Sequence, residues 1–105
     1  RVSDMIIVGG FNVFPQEVEA VIKEIPGVRE AVVVGASNPV SGEVPVAFVI
    51  RDEGSELDAH TVIATCKERM AHFKVPRKVR FVSELPMSAV GKVLKRKLRE
   101  QMTRE

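Results

Sequence analysis

The sequence predicts an α+β fold: a small two-layer domain with helices packed on a mostly antiparallel sheet, in the order β-α-β-β-α-β-α. Two patterns predict it. Short apolar runs rich in valine and isoleucine, each bounded by glycine, proline or asparagine, read as strands. Between them, apolar residues recur at three- and four-residue intervals over longer stretches, the spacing of one helical face. Size agrees: 105 residues, 45% of them hydrophobic, make one domain able to bury a modest core without disulfides.

Taken in order, residues 4–8 form a short apolar run that Gly9-Gly10 ends, a strand leading into a tight loop. Pro15 suits the first position of a helix, with Glu17 and Glu19 near its positive end. Val18, Val21, Ile22 and Ile25 mark one face of that helix, and Pro26-Gly27 stops it. Residues 28–36 contain Ala31-Val32-Val33-Val34, the composition of a buried strand. The cluster Asn38-Pro39-Val40-Ser41-Gly42 is a turn, and residues 44–50 form a second apolar strand. Pro45 is expected near the start of that strand or on an edge, since it has no N–H to give a ladder. Asp52-Glu53-Gly54-Ser55 turns the chain back, Asp58 is placed as an N-cap, and Leu57 can staple against Val62. Val62, Ile63, Cys66 and Met70 form the inner stripe of a second helix. Pro76 interrupts the chain beyond that helix, and residues 79–82 alternate as a short strand. Gly91 then releases a final helix with Val93, Leu94 and Leu98 as its apolar side.

Composition removes several classes of function. The net charge of +2 is unevenly placed: Lys92, Lys95, Arg96, Lys97 and Arg99 follow one another with no acid before Glu100. Such a run is either a solvated helix face or an electrostatic footprint for nucleic acid. There is no Trp or Tyr, and no Phe interleaves the basic run, so the stacking platforms of single-strand binders are missing and no nucleic-acid partner is expected. The single cysteine, Cys66, excludes an internal disulfide and fits a reducing, cytoplasmic setting; its spacing makes it a buried helix residue. No apolar run approaches the ~20 residues of a membrane span, so no transmembrane segment is expected. His60 and His72 are the only histidines and no cysteine pair accompanies them, so no metal site is expected. No Gly-x-Ser-x-Gly elbow is present, and Ser41 and Ser88 read as turn residues. Glu17 and Glu19 point to different helix faces and do not make a paired-carboxylate site.

What remains is Pro86-Met87-Ser88-Ala89-Val90-Gly91-Lys92-Val93-Leu94-Lys95-Arg96-Lys97-Leu98-Arg99. A proline-bounded loop delivers one glycine and one lysine, expected at the head of a basic amphipathic helix. Gly91 permits a tight turn, and Lys92 is a cation on a flexible stem, suited to a phosphate or a developing negative charge. A nucleotide P-loop would need glycine five positions before the glycine of the Gly-Lys pair and Ser or Thr after that pair. Pro86 and Val93 occupy the corresponding places, so that reading fails.

The same segment resembles the closing motif of the acyl-adenylate-forming enzymes, which include acyl-CoA synthetases, aryl-CoA ligases, firefly luciferase and peptide-synthetase adenylation domains. Arg1-Val2-Ser3-Asp4-Met5-Ile6-Ile7 with Gly9-Gly10-Phe11-Asn12-Val13-Phe14-Pro15 and Glu17-Val18-Glu19 is similar to that family's hinge and following glycine loop. Gly42-Glu43-Val44-Pro45-Val46-Ala47-Phe48-Val49 and Phe73-Lys74-Val75-Pro76 also fit, so four motifs in order cover nearly the whole chain. The resemblance implies that residues 1–105 are the mobile C-terminal lid domain of a larger ligase, whose N-terminal domain binds most of the ATP, Mg2+, carboxylic acid and coenzyme A. A chain that opens at Arg1, inside a motif, fits such a piece. Lys92 is then the catalytic cation of adenylation, Gly91 its loop support, and Arg1 a nucleotide contact. Gly9, Gly10 and Phe11 form the loop over the thiol channel, and Ser3 with Asp4 the hinge. Asp or Lys is usual where Ser3 stands, and an aspartate is frequent where Asn38 stands. The loop Phe11-Asn12-Val13-Phe14-Pro15 most resembles the fatty-acyl-CoA synthetases. An aryl-CoA ligase, or a stand-alone basic binding or regulatory module, are the alternatives.

Overall fold

The computed structural model describes residues 4–103. The elements are β1 (Ile6–Val8), β2 (Phe11–Val13), α1 (Pro15–Lys23), β3 (Val28–Asn38), β4 (Gly42–Arg51), α2 (Ala59–Arg69), β5 (Lys78–Phe81) and α3 (Lys95–Thr103). A single 3₁₀ turn, His72–Lys74, joins α2 to β5. The α+β class and the mostly antiparallel sheet are as expected, with one strand more. Phe11–Val13, expected within the glycine loop, pairs antiparallel with β1 as β2. Three residues are too few to show a period in sequence.

β4 is the spine of the sheet. On one flank it pairs antiparallel with β3 from Val28↔Arg51 to Asn38↔Gly42. On the other it meets β1 at Val8↔Gly42 and then β5, in parallel, from Val46↔Lys78 to Val49↔Phe81. Pro45 lies between those two partners, near the strand's start though not on a sheet edge. Its carbonyl accepts from the Arg77 N–H at 2.9 Å, so its nitrogen faces the same flank, where β1 has ended and β5 has yet to begin. A residue without an N–H costs nothing at that break.

Alternate residues of the central strands serve opposite faces. Ala31, Val33, Ala47 and Val49 pack with Ile6, Val13, Val18, Ile22, Val62 and Cys66 under α1 and α2. Val32, Val34, Val46 and Phe48 pack on the other side with Leu85 and Leu98. The two expected layers are therefore joined by a thinner third, made of α3 and the segment before it. This explains why β3 reads as a continuous apolar run: both of its faces are covered. Cys66 is fully buried, and the loss of solvent raises its thiol pKa.

The helices start for local reasons. Asp58 Oδ1 accepts from the Thr61 N–H at 2.9 Å, the expected N-cap of α2. Pro15 opens α1 without a side-chain cap. The final helix starts later than its apolar spacing predicts: Val93 pairs with Met87 in an isolated β-bridge, and α3 begins at Lys95. Lys92 is therefore not at a helix head but three residues ahead of one.

α1 and α3, on opposite faces, are tied around the outer strand β3. Glu19 Oε2 accepts from the Val33 N–H at 2.8 Å and meets Lys95 Nζ at 3.3 Å. The neighbouring pair Lys23–Glu30 lies nearer solvent, and its hydrogen bond holds the Glu30 carboxyl below the usual range.

Candidate functional site: two loops at opposite ends of one strand

The lysine loop is a small hairpin built on backbone hydrogen bonds. The Leu94 N–H donates to the Pro86 carbonyl at 2.8 Å, and the Ser88 N–H to the Lys92 carbonyl at 2.8 Å. Inside this frame the Gly91 N–H donates to the Ser88 carbonyl at 3.0 Å. Gly91 has φ +83°, in the region that glycine enters without strain. The Lys92 N–H donates to Ser88 Oγ at 3.2 Å. Ser88, expected only to turn the chain, thus holds both backbone groups of Lys92. The signal for this was a hydroxyl residue three positions before a glycine, too common in turns to single out. Val90 at the tip is 80% exposed, so hydrogen bonds rather than packing fix the loop. Lys92 is exposed, and its ammonium forms no ion pair among the described residues. Lys95 differs: it is 19% exposed and held by Glu19, itself 15% exposed.

The glycine loop joins β1 to β2. Gly9 and Gly10 have φ +54° and +89°, both are exposed, and a Cβ built on either would meet nothing within 4 Å. The Gly9 N–H donates to the Ser41 carbonyl at 2.8 Å, anchoring the loop to the β3–β4 turn. There Asn38 Oδ1 accepts from the Val40 and Ser41 N–H groups, both at 2.9 Å, the turn role expected of it. Phe11, 56% exposed, stacks on Phe73 with ring centroids 4.4 Å apart. This contact ties the glycine loop to the 3₁₀ turn of the Phe73-Lys74-Val75-Pro76 motif.

The two loops are not brought together. The glycine loop stands beside Ser41 and Gly42, at the start of β4. The lysine loop stands by its end, where Met87 and Val93 share a cleft with Arg29, Glu30 and Ile50. The extended chain between Gly42 and Ile50 separates those ends by roughly 27 Å. Asp4, the second expected hinge residue, is half-buried just ahead of β1, while Arg1 and Ser3 lie outside the described residues. Among the described residues no three His, Cys, Asp or Glu side chains converge to hold a metal ion. Nor is any helix among them long and apolar enough to cross a membrane.

Known proteins are similar to this chain in sequence and in fold. Residues 17–92 match the family model of the AMP-binding enzyme C-terminal domain. A putative acyl-CoA ligase of Bacillus subtilis, YdaB, is 48% identical over 101 residues, covering 96% of this chain and 20% of the relative. A fatty acyl CoA synthetase of Mycobacterium tuberculosis superposes with a TM-score of 0.92 at 41% identity, over 99% of this chain and 20% of that one. ATP-bound MatB of Rhodopseudomonas palustris gives a TM-score of 0.93 at 42% identity, over 96% and 20%. The chain spans about a fifth of the length of the relatives it matches. It belongs to the AMP-binding enzyme C-terminal domain family, that of the acyl-CoA ligases.

Proposed function

We propose that this domain is the mobile lid of an ATP-dependent acyl-CoA synthetase acting on a fatty acid, and that it serves two successive half-reactions from its two ends. The observation that carries the proposal is the placement of Lys92 and Gly9-Gly10 at opposite ends of β4. One docked orientation can bring only one of these loops to a reacting centre. In the first half-reaction a carboxylate and ATP give an acyl-adenylate and pyrophosphate. The Lys92 ammonium, tied to no carboxylate among the described residues, stabilises the charge that spreads over the carboxylate and phosphate oxygens. Gly91 lets the loop turn to present it. In the second half-reaction the thiol of coenzyme A attacks the acyl carbonyl and AMP leaves. The bare backbone of Gly9-Gly10 then lines the thiol channel, beside Phe11.

Arg1 contacts the nucleotide in this scheme, and Ser3 and Asp4 form the hinge. An N-terminal adenylation domain is the partner and holds the acid, the nucleotide and its Mg2+. Fatty acid is favoured because a fatty acyl CoA synthetase is among the structural relatives and because the loop Phe11-Asn12-Val13-Phe14-Pro15 resembles that group. A buried thiol outside any disulfide, Cys66, suits the cytoplasm.

The test separates the half-reactions in the intact enzyme. Lys92→Ala should lower adenylation, read as pyrophosphate release, by roughly 100- to 1,000-fold while sparing transfer from preformed acyl-adenylate. Gly10→Trp should do the reverse, blocking transfer and sparing adenylation. Equal losses in both half-reactions for either variant would mean that the loops serve folding alone.

A further inference from the structure

The β1–β2 hairpin is attached to the rest of the sheet in an unusual way. β1 meets β4 through the single pair Val8↔Gly42, and in that register Ile7 lies opposite Glu43. In an ordinary antiparallel ladder the Ile7 N–H would donate to the main-chain carbonyl of Glu43. The Ile7 N–H instead donates to the Glu43 side chain, with Oε1 at 3.0 Å. The carboxylate therefore stands between the strand that carries the glycine loop and the spine of the sheet. Its second oxygen has a place prepared on the neighbouring strand. A Cβ on Gly35 of β3 would lie 2.8 Å from Glu43 Oε2, so the carboxylate would have to shift, and 3.2 Å from Ile6 Cγ1, a tight contact. Gly35 is not among the glycines with positive φ, so its backbone does not call for glycine. The space does.

We infer that Glu43 is a positioning residue for thioester formation: its carboxylate takes the Ile7 N–H that would otherwise meet a backbone carbonyl, and so helps set the β1–β2 hairpin, with Gly9-Gly10 at its tip, on the sheet. That role rests on the reading of Gly9-Gly10 as the lining of the thiol channel. A side-chain rung holds the strand through an acceptor that a substitution can delete, which no substitution can do to a carbonyl of the main chain. Beside it, the Gly9 N–H bond to the Ser41 carbonyl ties the loop to the β3–β4 turn. Loss of Glu43 therefore loosens the hairpin where the loop must be held against a passing thiol.

Four variants of the intact enzyme, assayed for the two half-reactions separately, test the assignment. Glu43→Ala should lower the rate of acyl transfer from preformed acyl-adenylate to coenzyme A by about tenfold, the scale of one hydrogen bond to a charged group, with adenylation changed less than about twofold. Glu43→Gln keeps a side-chain carbonyl for the Ile7 N–H and should restore most of the transfer rate. Gly35→Ala, which displaces the carboxylate from the far side, should reproduce the Glu43→Ala loss. The double variant should then be no worse than either single one, because both remove the same rung. Amide exchange at Ile7 should accelerate in Glu43→Ala and in Gly35→Ala but not in Glu43→Gln. Normal transfer by Glu43→Ala, beside a Gly10→Trp enzyme that fails in transfer, would overturn the role of Glu43 and leave that of the loop intact. Normal transfer by Gly10→Trp would overturn the loop and Glu43 together. Equal losses in both half-reactions would reduce Glu43 to a structural residue.

Discussion

Two lysines three positions apart show how little the residue type says by itself. Lys92 stands exposed on a hairpin, while Lys95, the first residue of α3, is pulled against the protein by Glu19. In sequence both belong to one basic run, and nothing distinguished them except the glycine before Lys92. The difference is set by a carboxylate 76 positions away, on a helix of the opposite layer. Lys97, further along α3, is exposed and resembles an ordinary surface lysine. Lys97→Ala should therefore change the stability of the chain by less than about 0.5 kcal/mol. Lys95→Ala should cost on the order of 1–2 kcal/mol, between the values for exposed and for buried ion pairs, because it leaves Glu19 half-compensated in a mostly enclosed place. Urea titration of the two variants beside the parent decides it, and equal midpoints would mean that the Glu19–Lys95 contact contributes nothing.

Among the elements, α2 was the most legible and α3 the least. Asp58, Leu57 and the stripe Val62, Ile63, Cys66 and Met70 all signal one helix, and each local preference agrees with the packing found. Asp58→Ala should accordingly cost about 1 kcal/mol, measured as a lower urea midpoint with an unchanged slope, and Asp58→Asn should recover most of it. In α3 the periodicity misleads at the start. Val93, Leu94 and Leu98 have helical spacing, but Val93 is recruited by Met87 into a bridge, and the helix cannot begin until that bridge is passed. The competing partner lies only six residues upstream, yet no pattern in the sequence marks Met87 as a strand residue. β2 escaped notice for a related reason: its pairing with β1 is visible only once Gly9 and Gly10 have reversed the chain. Both loops of the candidate site were legible as glycine-bearing motifs. Their separation along β4 was not, since it depends on which strand ends the sheet brings side by side.

For the molecule as a whole, the apolar run of β3 foretold burial, and the third layer that covers its second face, α3 with Leu85, lies about fifty residues or more downstream. Coverage of the two faces leaves a different surface open. β3 is the outermost strand on its side of the sheet, eleven residues long and rich in valine. The outer side of a long edge strand is a template on which a second copy can add its own strand and continue the sheet. Glu19 occupies that template at its middle, taking the Val33 N–H for its own carboxylate and placing a charge where an incoming strand would lie. The same side chain that joins two helices therefore also acts as a guard against edge-to-edge polymerisation. Glu19→Ala should free the Val33 N–H and make the chain self-associate in a concentration-dependent way, seen as rising light scattering at concentrations where the parent stays clear. Lys95→Ala leaves the guard in place, so it should lose stability without gaining any tendency to assemble.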